Sequence, residues 1–324
     1  MSIFAATHSV LSTQALTDFV SSKYAIEKIQ HMVFFQAGLN DTYVINTINR
    51  KYILRVYRKN WRTLSDIQCE IELLLHLANK NIAVANPVAG NDKQYIYPVN
   101  ATEGLRHIVL FDYAEGTPPD YDRAAAIDAS LYGSTMARMH NALDDFSTIQ
   151  SRFKIDLEHL IDTPLITIRP FLQDRPDDLA YINQLTKELK ARFNELPTQS
   201  LSYGFCHGDM NSGNVHIKDK LLTLFDFDCC GESYQAYDLA IFNWGLRMNK
   251  FADNNWTCFL EAYQDERNLS PADRNTIPLF TTIRHIWHIG LHTQLSSDRG
   301  RNWLDDRYFD EQIAFLKNCM NELK

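Results

Sequence analysis

The chain has 324 residues, of which 45% are hydrophobic and 22% are charged, a composition typical of a globular protein. Its formal net charge of −8 argues against a nucleic-acid-binding protein, because affinity for a phosphate backbone depends on Lys and Arg. The length favours two lobes or domains over a single hydrophobic core.

The sequence has no recognisable targeting or membrane-spanning segment. The N-terminal stretch MSIFAATHSVLSTQALTDFV has neither a basic start nor a long apolar run, so it does not resemble a signal peptide. No stretch approaches about 18 uninterrupted apolar residues, so no membrane span is expected. The six cysteines are scattered without a CxxC pair, which predicts reduced thiols. These patterns predict a cytoplasmic protein without a membrane partner.

The N-terminal part of the chain is predicted to form a sheet with one helix. Three short runs rich in β-branched and aromatic residues, MVFFQAG, TYVINTI and KYILRVYR, are divided by turn-prone segments. The following SDIQCEIELLLHLANK has apolar residues at helical spacing, with Ser65 or Asp66 as the candidate N-cap. Two more strands are predicted at QYIYPV and RHIVLFDYA.

The pattern changes at AEGTPPDYD, where a glycine and two prolines interrupt it. Beyond this segment most of the chain has helical periodicity, except for VHIKDKLLTLFDFD, which predicts a β-hairpin. We therefore expect an α+β protein of two lobes. The β-rich N-lobe would span residues 1–115, and the mostly α-helical C-lobe would span residues 116–324.

Polar residues concentrate in two stretches of the predicted C-lobe, FCHGDMNSGNVH and LFDFD. In chain order they supply His207, Asp209, Asn214 and Asp226. The intervening hairpin would return Asp226 to the loop, so that three oxygen-bearing side chains converge. Carboxylate and amide oxygens are the ligands that Mg²⁺ prefers. Phosphoryl transfer requires such ligands and a further carboxylate that receives the proton of the attacking hydroxyl.

The motifs HGDMNSGN and DFD resemble the catalytic and metal-binding motifs of the aminoglycoside phosphotransferase/choline kinase family, which has a protein-kinase-like fold. The resemblance extends over nearly the whole chain and is sharpest from residue 207 to residue 240. It implies that Asp209 is the catalytic carboxylate and that His207 orients the catalytic loop. It also implies that Asn214 and Asp226 bind Mg²⁺.

Two further aspartates follow in the same region. Asp238, in AYDLA, resembles the buried aspartate with which the family fixes the catalytic loop through backbone hydrogen bonds. Asp228 occupies a position at which members of the family vary, so its role toward the metal stays open.

The resemblance also implies a nucleotide site in the N-lobe. Gly38 and Asn40, between two predicted strands, resemble the short nucleotide loop of the family. Arg55 aligns with the lysine that holds the α- and β-phosphates, a departure because Arg is planar and bidentate whereas Lys is a point charge. A carboxylate of the following helix should orient this cation. Glu70 and Glu72 are both candidates, and Glu70 matches the family position better.

The segment LFDYAEG resembles the hinge between the lobes of the family. The resemblance implies that backbone groups of Asp112, Tyr113 and Ala114 face the adenine. Because backbone recognition leaves little trace in side chains, ATP and GTP stay equally open.

A candidate acceptor pocket lies in the predicted helix TTIRHIWHIGLHTQL. His285, His288 and His292 are spaced i, i+3 and i+7, so they share one helical face, and Arg284 is beside them. A zinc site is disfavoured, because zinc ligands on a helix commonly pair at i, i+4. His and Arg together would suit an acceptor with a carboxylate or a phosphate. A later group of acidic residues is interpreted as a solvated helix start; its members are Asp305, Asp306, Asp310 and Glu311.

The sequence thus predicts an ATP- (or GTP-) and Mg²⁺-dependent kinase that transfers the γ-phosphoryl group to a hydroxyl of a small molecule. Candidate acceptors are an amino alcohol, a homoserine-like compound as in homoserine-kinase-like phosphotransferases, or an aminoglycoside-like sugar. A bacterial protein Ser/Thr kinase is the alternative, but the short FDCCGESYQAY before Asp238 leaves little room for a peptide platform. A nucleotide-binding pseudokinase that regulates a partner is a further alternative, but it should have lost a catalytic or metal-binding residue, and none is lost here. A metallophosphoesterase should have an Asp-x-His pair before His207, and the sequence has none.

Overall fold

The computed structural model describes residues 4–122 and 125–323, which divide into two compact units. The first unit comprises Met1–Gly116, Phe146–Arg152 and Thr223–Asp228. The second comprises Thr117–Asp145, Phe153–Leu222 and Cys229–Lys324. The predicted boundary lies between residues 115 and 116. The first unit of the structure ends its long segment at Gly116, and it also includes two later segments that the prediction assigned to the C-lobe, Phe146–Arg152 and Thr223–Asp228.

Hydrogen bonds explain why these later segments belong to the first unit. The backbone N–H of Ala85 donates to the carbonyl of Leu224 at 2.9 Å, and the N–H of Leu224 donates to the carbonyl of Ala83 at 2.9 Å. The side chain of Gln150 donates to Glu72 Oε1 at 3.0 Å. Pairing between residues this far apart in the chain has no signature in local composition.

The first unit is built on a five-stranded antiparallel sheet of order β1-β2-β3-β5-β4. A first helix, α1 (Thr13–Lys23), packs on it, and α2 (Leu64–Asn79) connects β3 to β4. Helix α1 was not predicted, because only Leu16 and Val20 of its residues are buried and its apolar stripe is narrow. The strands are β1 (His31–Ala37), β2 (Asp41–Asn46), β3 (Lys51–Val56), β4 (Tyr97–Ala101) and β5 (Gly104–Asp112).

Helix α2 begins two or three residues earlier than predicted. Thr63 is the N-cap rather than Ser65 or Asp66, and its hydroxyl accepts a hydrogen bond from the N–H of Asp66. The Asp66 carboxylate in turn accepts from the N–H of Thr63 at 2.9 Å, which completes a capping box. The helix buries Ile67 and Ile71 on the predicted face.

The second unit is mostly helical, and together with the sheet of the first unit it confirms the predicted α+β class. No helix in the described part of the chain is long and apolar enough to cross a membrane. Its helices are α3 (Ala125–Leu143), α4 (Thr163–Ile168), α5 (Pro176–Asn194), α6 (Ala236–Met248), α7 (Asp253–Glu266), α8 (Pro271–Arg299) and α9 (Asp306–Glu322).

Four short strands surround the predicted catalytic segment. Strand β6 (Tyr203–Cys206) pairs antiparallel with β9 (Gly231–Tyr234), and β7 (Val215–Lys218) pairs with β8 (Leu221–Leu224). The β7–β8 turn places Asp219 and Lys220 at positive φ, 52° and 64°, as expected for a two-residue hairpin turn.

Two residues of the second unit determine how its helices pack or begin. Gly290 allows α4 to approach α8, because an added Cβ would lie 2.3 Å from the Cβ of Pro164. Asp305 is the N-cap of α9 and accepts from the N–H of Tyr308 at 2.9 Å. The acidic group at this position therefore acts as a helix start, as predicted.

Candidate active site

The catalytic loop follows β6 and is fixed by Asp238, in the first turn of α6. The backbone N–H groups of His207 and Gly208 both donate to the Asp238 carboxylate at 2.8 Å. Gly208 has a φ of 78°, and an added Cβ would lie 2.2 Å from the carbonyl oxygen of Cys229. Only glycine fits here, because both the φ and the space exclude a side chain. Asp238 thus makes the loop hydrogen bonds that the resemblance implies.

Asp238 has a further partner that the sequence analysis missed. His140, on α3, lies with its Nε2 3.2 Å from Asp238 Oδ2 and its Nδ1 2.8 Å from the hydroxyl of Tyr263. Both His140 and Asp238 are fully buried. No sequence signal linked the two residues, because His140 lies in an ordinary helical pattern.

His140 and Asp238 also lie close to Cys206, and these three could in principle surround a metal ion, with ligand atoms within 4.8 Å of one another. The Asp238 oxygens already accept the loop N–H groups. Burial raises the pKa of the Cys206 thiol well above its usual value, which disfavours the thiolate that metals bind. Hydrogen bonding therefore explains this cluster without a metal.

Asp209 is held by both of its carboxylate oxygens. Asn214 Nδ2 donates to Oδ2 at 2.9 Å, and Arg284 Nη2 donates to Oδ1 at 2.5 Å. The Asp209 backbone N–H donates to Nδ1 of His207 at 3.2 Å. His207 is fully buried, whereas the side chain of Asp209 is 19% exposed. His207 therefore orients the loop, and Asp209 is the member of this group that a substrate can reach.

Asn214 has an amide oxygen suited to a cation. It ends a short 3₁₀ helix, Ser212–Asn214, and its Nδ2 donates to both the carbonyl and the carboxylate of Asp209. This orientation directs both amide N–H groups toward Asp209 and leaves Oδ1 as an acceptor. An amide oxygen next to a carboxylate is a ligand type that hard divalent cations prefer.

A second polar group lies in the first unit around Arg55, on β3. Arg55 Nη1 donates to Glu70 Oε1 at 2.6 Å, and Nη2 donates to Asp226 Oδ1 at 2.8 Å. The Tyr57 hydroxyl donates to the other oxygen of Glu70 at 2.8 Å. Glu70, rather than Glu72, is therefore the carboxylate that orients the cation. Although burial lowers the pKa of Arg55, the Glu70 and Asp226 carboxylates raise it well above its usual value.

Glu72 has other partners in the same unit. Its carboxylate accepts from Thr148 Oγ1 at 2.5 Å and from Gln150 Nε2 at 3.0 Å. Glu72 thus attaches the Phe146–Arg152 segment to α2.

Asp226 and Asp228 have opposite surroundings, although one residue separates them. The Asp226 side chain is 47% exposed, and the residue has a φ of 64°, a left-handed conformation that non-glycine residues seldom adopt. Asp228 is 2% exposed, and its two oxygens accept from Trp61 Nε1 at 2.6 Å and Arg62 Nε at 3.2 Å. Burial would raise the pKa of Asp228, but Arg62 and Arg55 lower it. Asp228 is therefore an internal hydrogen-bond partner of Trp61 and Arg62.

The predicted nucleotide loop is a tight turn. The N–H of Gly38 donates to the carbonyl of Asn40 at 2.8 Å. Asn40 is 6% exposed, and its side-chain oxygen accepts from the N–H of Arg58 at 3.3 Å. The Asn40 side chain therefore supports the strand, and contact of this turn with a nucleotide stays a prediction. An added Cβ at Gly38 would make only an ordinary contact at 3.4 Å, so the turn itself does not require glycine.

At the predicted hinge, the Asp112 N–H donates to the carbonyl of Asn86 at 2.8 Å. Tyr113 follows the end of β5, and the ammonium of Lys51 lies 5.3 Å from its ring centroid. The proposed contact of Asp112, Tyr113 and Ala114 with an adenine stays a prediction.

The three histidines of α8 share one face, as predicted, and this face packs against aromatic side chains; His285 is buried, whereas His288 and His292 are half-buried. His285 is fully buried, accepts from Trp244 Nε1 at 3.0 Å and packs on Phe315. The ring centroids of His288 and His292 lie 4.0 Å apart, and Nδ1 of His292 lies 2.9 Å from the hydroxyl of Tyr308. These rings form an aromatic cluster between α6, α8 and α9.

Burial also keeps these imidazoles uncharged. It lowers the pKa of His285 to about 3 and the pKa of His292 to about 4. The pKa of His288 is likewise well below its usual value because of burial. Of the four residues predicted for the acceptor pocket, only Arg284 contacts the catalytic loop.

Comparison with known proteins places the chain in a family. A model of the phosphotransferase enzyme family matches residues 33–274. An uncharacterized protein of Deinococcus radiodurans is 35% identical over 318 residues, covering 97% of this chain and 91% of the relative. Amicoumacin kinase of Bacillus subtilis is 24% identical over 289 residues, covering 85% and 83% of the two chains. The chain belongs to the phosphotransferase enzyme family and is an enzyme of the kinase class.

Solved structures give the same result for the fold. The amicoumacin kinase hAmiN, in complex with AMP-PNP, Ca²⁺ and Ami, has a TM-score of 0.77 at 20% identity and covers 96% of this chain and 94% of its own. A microcompartment-associated aminopropanol kinase has a TM-score of 0.73 at 20% identity, covering 94% and 95%. The predicted kinase-like fold is therefore confirmed.

Proposed function

We propose that this protein transfers the γ-phosphoryl group of ATP to a hydroxyl of a small molecule, with Mg²⁺ as the metal ion. The observation that carries this proposal is the catalytic loop of the second unit. Asp238 accepts two loop N–H groups at 2.8 Å, and Asp209 presents a partly exposed carboxylate whose two oxygens are both oriented. Such a fixed carboxylate suits the residue that receives the hydroxyl proton.

In the proposed reaction, Asp209 accepts a hydrogen bond from the acceptor hydroxyl and orients its oxygen toward the γ-phosphorus. As the new O–P bond forms, Asp209 takes the proton, the bond to the β-phosphate breaks and ADP leaves. His207 and Asp238 take no part in proton transfer, because both are fully buried and hydrogen-bonded to the loop. Their role is to keep Asp209 in place, which matters because small displacements of a reacting group reduce the rate.

The donor set fits a divalent cation. Asn214 has a suitably oriented amide oxygen, and Asp226 has a carboxylate that is 47% exposed. Under this proposal Asn214 and Asp226 would hold Mg²⁺, which would neutralise negative charge on the phosphates. Arg55, oriented by Glu70 at 2.6 Å, would hold the α- and β-phosphates. The related hAmiN structure contains AMP-PNP and Ca²⁺, which supports nucleotide and divalent-cation binding here.

A small acceptor is favoured over a protein substrate. Between Asp226 and Asp238 the chain has only a 3₁₀ turn, Phe227–Cys229, and the four-residue β9, so no long segment is available to support a peptide. Relatives named amicoumacin kinase and aminopropanol kinase have small-molecule acceptors in their names.

The proposal is tested by ADP release in the presence of hydroxyl compounds, with Mg²⁺ or with EDTA. The expected result is acceptor-dependent ADP release that needs the metal, with phosphate recovered on the acceptor. Phosphorylation of protein Ser or Thr alone, with no small acceptor used, would contradict it.

A further inference from the structure

Arg284 is a buried cation bonded to the candidate catalytic carboxylate. Its side chain, from α8, is 4% exposed, and its Nη2 donates to Asp209 Oδ1 at 2.5 Å. The guanidinium carbon lies 4.2 Å from the ring centroid of Trp287 and 5.2 Å from that of Trp244. The two indoles thus fix the guanidinium next to the point where a substrate hydroxyl would arrive.

The hydrogen bonds of this guanidinium are incomplete. Nε and Nη1 are buried and have no hydrogen-bond partner among the described residues. Buried polar groups in proteins are nearly always hydrogen-bonded, and unpaired donors on a charged group are costly. Although burial lowers the pKa of Arg284, the Asp209 carboxylate raises it above its usual value, so the group remains a cation. The Tyr237 hydroxyl is close enough to raise the pKa of Arg284 as well, yet neither Nε nor Nη1 has a well-placed hydrogen-bond partner among the described residues, so two donors are left over.

Asp209 does not bond these two donors. Its Oδ1 accepts from Nη2 and its Oδ2 accepts from Asn214 Nδ2 at 2.9 Å, but neither oxygen is a partner of Nε or Nη1. The nearby His285 is no acceptor for them, because its Nδ1 accepts from Trp244 Nε1 and the other nitrogen of a neutral ring carries the proton. Asp209 pairs the charge of Arg284 at Nη2, and the two remaining donors can take an oxygen atom from outside the chain.

We propose that Arg284 determines acceptor specificity by binding a carboxylate group that the acceptor carries near its reacting hydroxyl. This inference rests on the proposed function, since it assigns a substrate class to the same site. Asp209 is 19% exposed, so an acceptor hydroxyl that reaches it brings a neighbouring carboxylate to the guanidinium of Arg284. A planar guanidinium with several N–H donors matches a carboxylate in shape and charge. The predicted acceptor class is therefore the hydroxy acids, including hydroxy amino acids.

The test uses pairs of acceptors that differ only in the anionic group. Serine is paired with ethanolamine, homoserine with aminopropanol and glucuronate with glucose, and glycerophosphate is paired with glycerol as the phosphate arm. Binding of each compound is measured by calorimetry without ATP, and ADP release is measured separately with Mg·ATP. The variants are Arg284→Gln, Arg284→Lys and, as the control, Arg274→Gln. Arg274 is an exposed arginine on the same helix.

In the wild-type protein, the carboxylate member of at least one pair should bind and react, with a KM about 10- to 100-fold below that of its partner, the range expected for one charged hydrogen-bonding group. Arg284→Gln should remove this difference, Arg284→Lys should retain part of it, and Arg274→Gln should leave it intact. Lys keeps the charge, so partial retention separates anion binding from a general loss of structure.

Other results overturn the inference. Preference for the partner without the carboxylate, preference for glycerophosphate alone, binding that Arg284→Gln leaves unchanged, or no binding of any member would each contradict a carboxylate-binding role. In the first three cases, acceptor-dependent ADP release would still support the proposed function. Conversely, Arg284-dependent binding of a carboxylate compound with no ADP release from any acceptor would support the anion site and contradict the proposed phosphotransfer.

Discussion

Arg55 and Glu70 form a buried ion pair, with Nη1 of the arginine 2.6 Å from Oε1 of the glutamate. A strand and a helix of the first unit thus bring the two residues together, and Arg55 is the residue that the resemblance aligns with the lysine of the family. The Tyr57 hydroxyl donates a hydrogen bond to the other carboxylate oxygen of Glu70 at 2.8 Å. A planar guanidinium can bond Glu70 with one nitrogen and present another elsewhere, and here Nη2 reaches Asp226 at 2.8 Å.

Replacing Arg55 should weaken nucleotide binding. Arg55→Met removes one charged hydrogen-bonding group, so the free energy of ATP binding should become less favourable by about 1.5–3 kcal/mol. Calorimetric titration with Mg·ATP measures this. Because the change leaves the buried Glu70 without its partner, Arg55→Lys should also be measured and should retain part of the affinity. The exposed Arg50→Met is the control. Full ATP affinity in Arg55→Met would mean that another cation holds the phosphates.

The two aspartates that follow β8 should respond differently to the same substitution. Asp226→Asn should remove most of the Mg²⁺-dependent part of the increase in Tm caused by ATP, while leaving the Tm of the free protein nearly unchanged. Asp228→Asn should lower the Tm of the free protein, because it removes a buried partner of Arg62. Thermal melts with ATP, in Mg²⁺ and in EDTA, distinguish the two. The same response from both variants would contradict the separate roles.

Replacing Asp238 should lower both the stability of the protein and its turnover rate. Asp238→Asn weakens its hydrogen bonds with the N–H groups of His207 and Gly208, so both the Tm and the turnover should fall. His140→Gln should also lower the Tm, because His140 lies 3.2 Å from the same carboxylate. Melting curves and steady-state rates of the two variants provide the comparison. A lower rate at unchanged stability in Asp238→Asn would instead suggest a direct role in the chemistry.

The histidines of α8, one buried and two half-buried, should make the protein less stable in mild acid. Burial lowers the pKa of His292 to about 4 and that of His285 to about 3, while an unfolded histidine has a pKa of about 6.5. Between these values the unfolded state binds more protons, so stability is full above about pH 6.5 and falls as the pH drops toward 4. His292→Gln should reduce this slope. Unfolding free energies near neutral pH and near pH 5 test it, and an unchanged slope would contradict the assignment.

Most of the catalytic loop could be predicted because its residues lie close together in the chain. His207, Asp209 and Asn214 occupy one short segment, and glycine at 208 marks a backbone that only glycine can adopt. The strands and α2 were also readable, since alternation and helical spacing reflect burial over a few residues. The sequence pattern was therefore sufficient for the elements whose structure depends on residues close together in the chain.

The contacts between distant residues could not be predicted in this way. Arg284 lies 75 residues after Asp209, and Trp61 lies 167 residues before Asp228. The α8 histidines illustrate the same limit: their shared face was predicted, but the aromatic neighbours from α6 and α9 that pack on it were not. Residue type and spacing indicate which side chains point together, whereas only tertiary packing determines what they meet.

The most direct test of the whole account is the Asp209→Asn substitution. It keeps the size of the side chain and removes the proton acceptor, so turnover should fall by about 10²–10⁴ while Mg·ATP affinity stays close to that of the wild-type protein. Asp219→Asn, in the exposed β7–β8 turn, makes the same chemical change ten residues away and should leave both quantities unchanged. Turnover with an identified acceptor and ATP affinity by calorimetry should be measured on the three proteins. Wild-type turnover in Asp209→Asn, or complete loss of ATP binding, would contradict the assignment of Asp209 as the catalytic base.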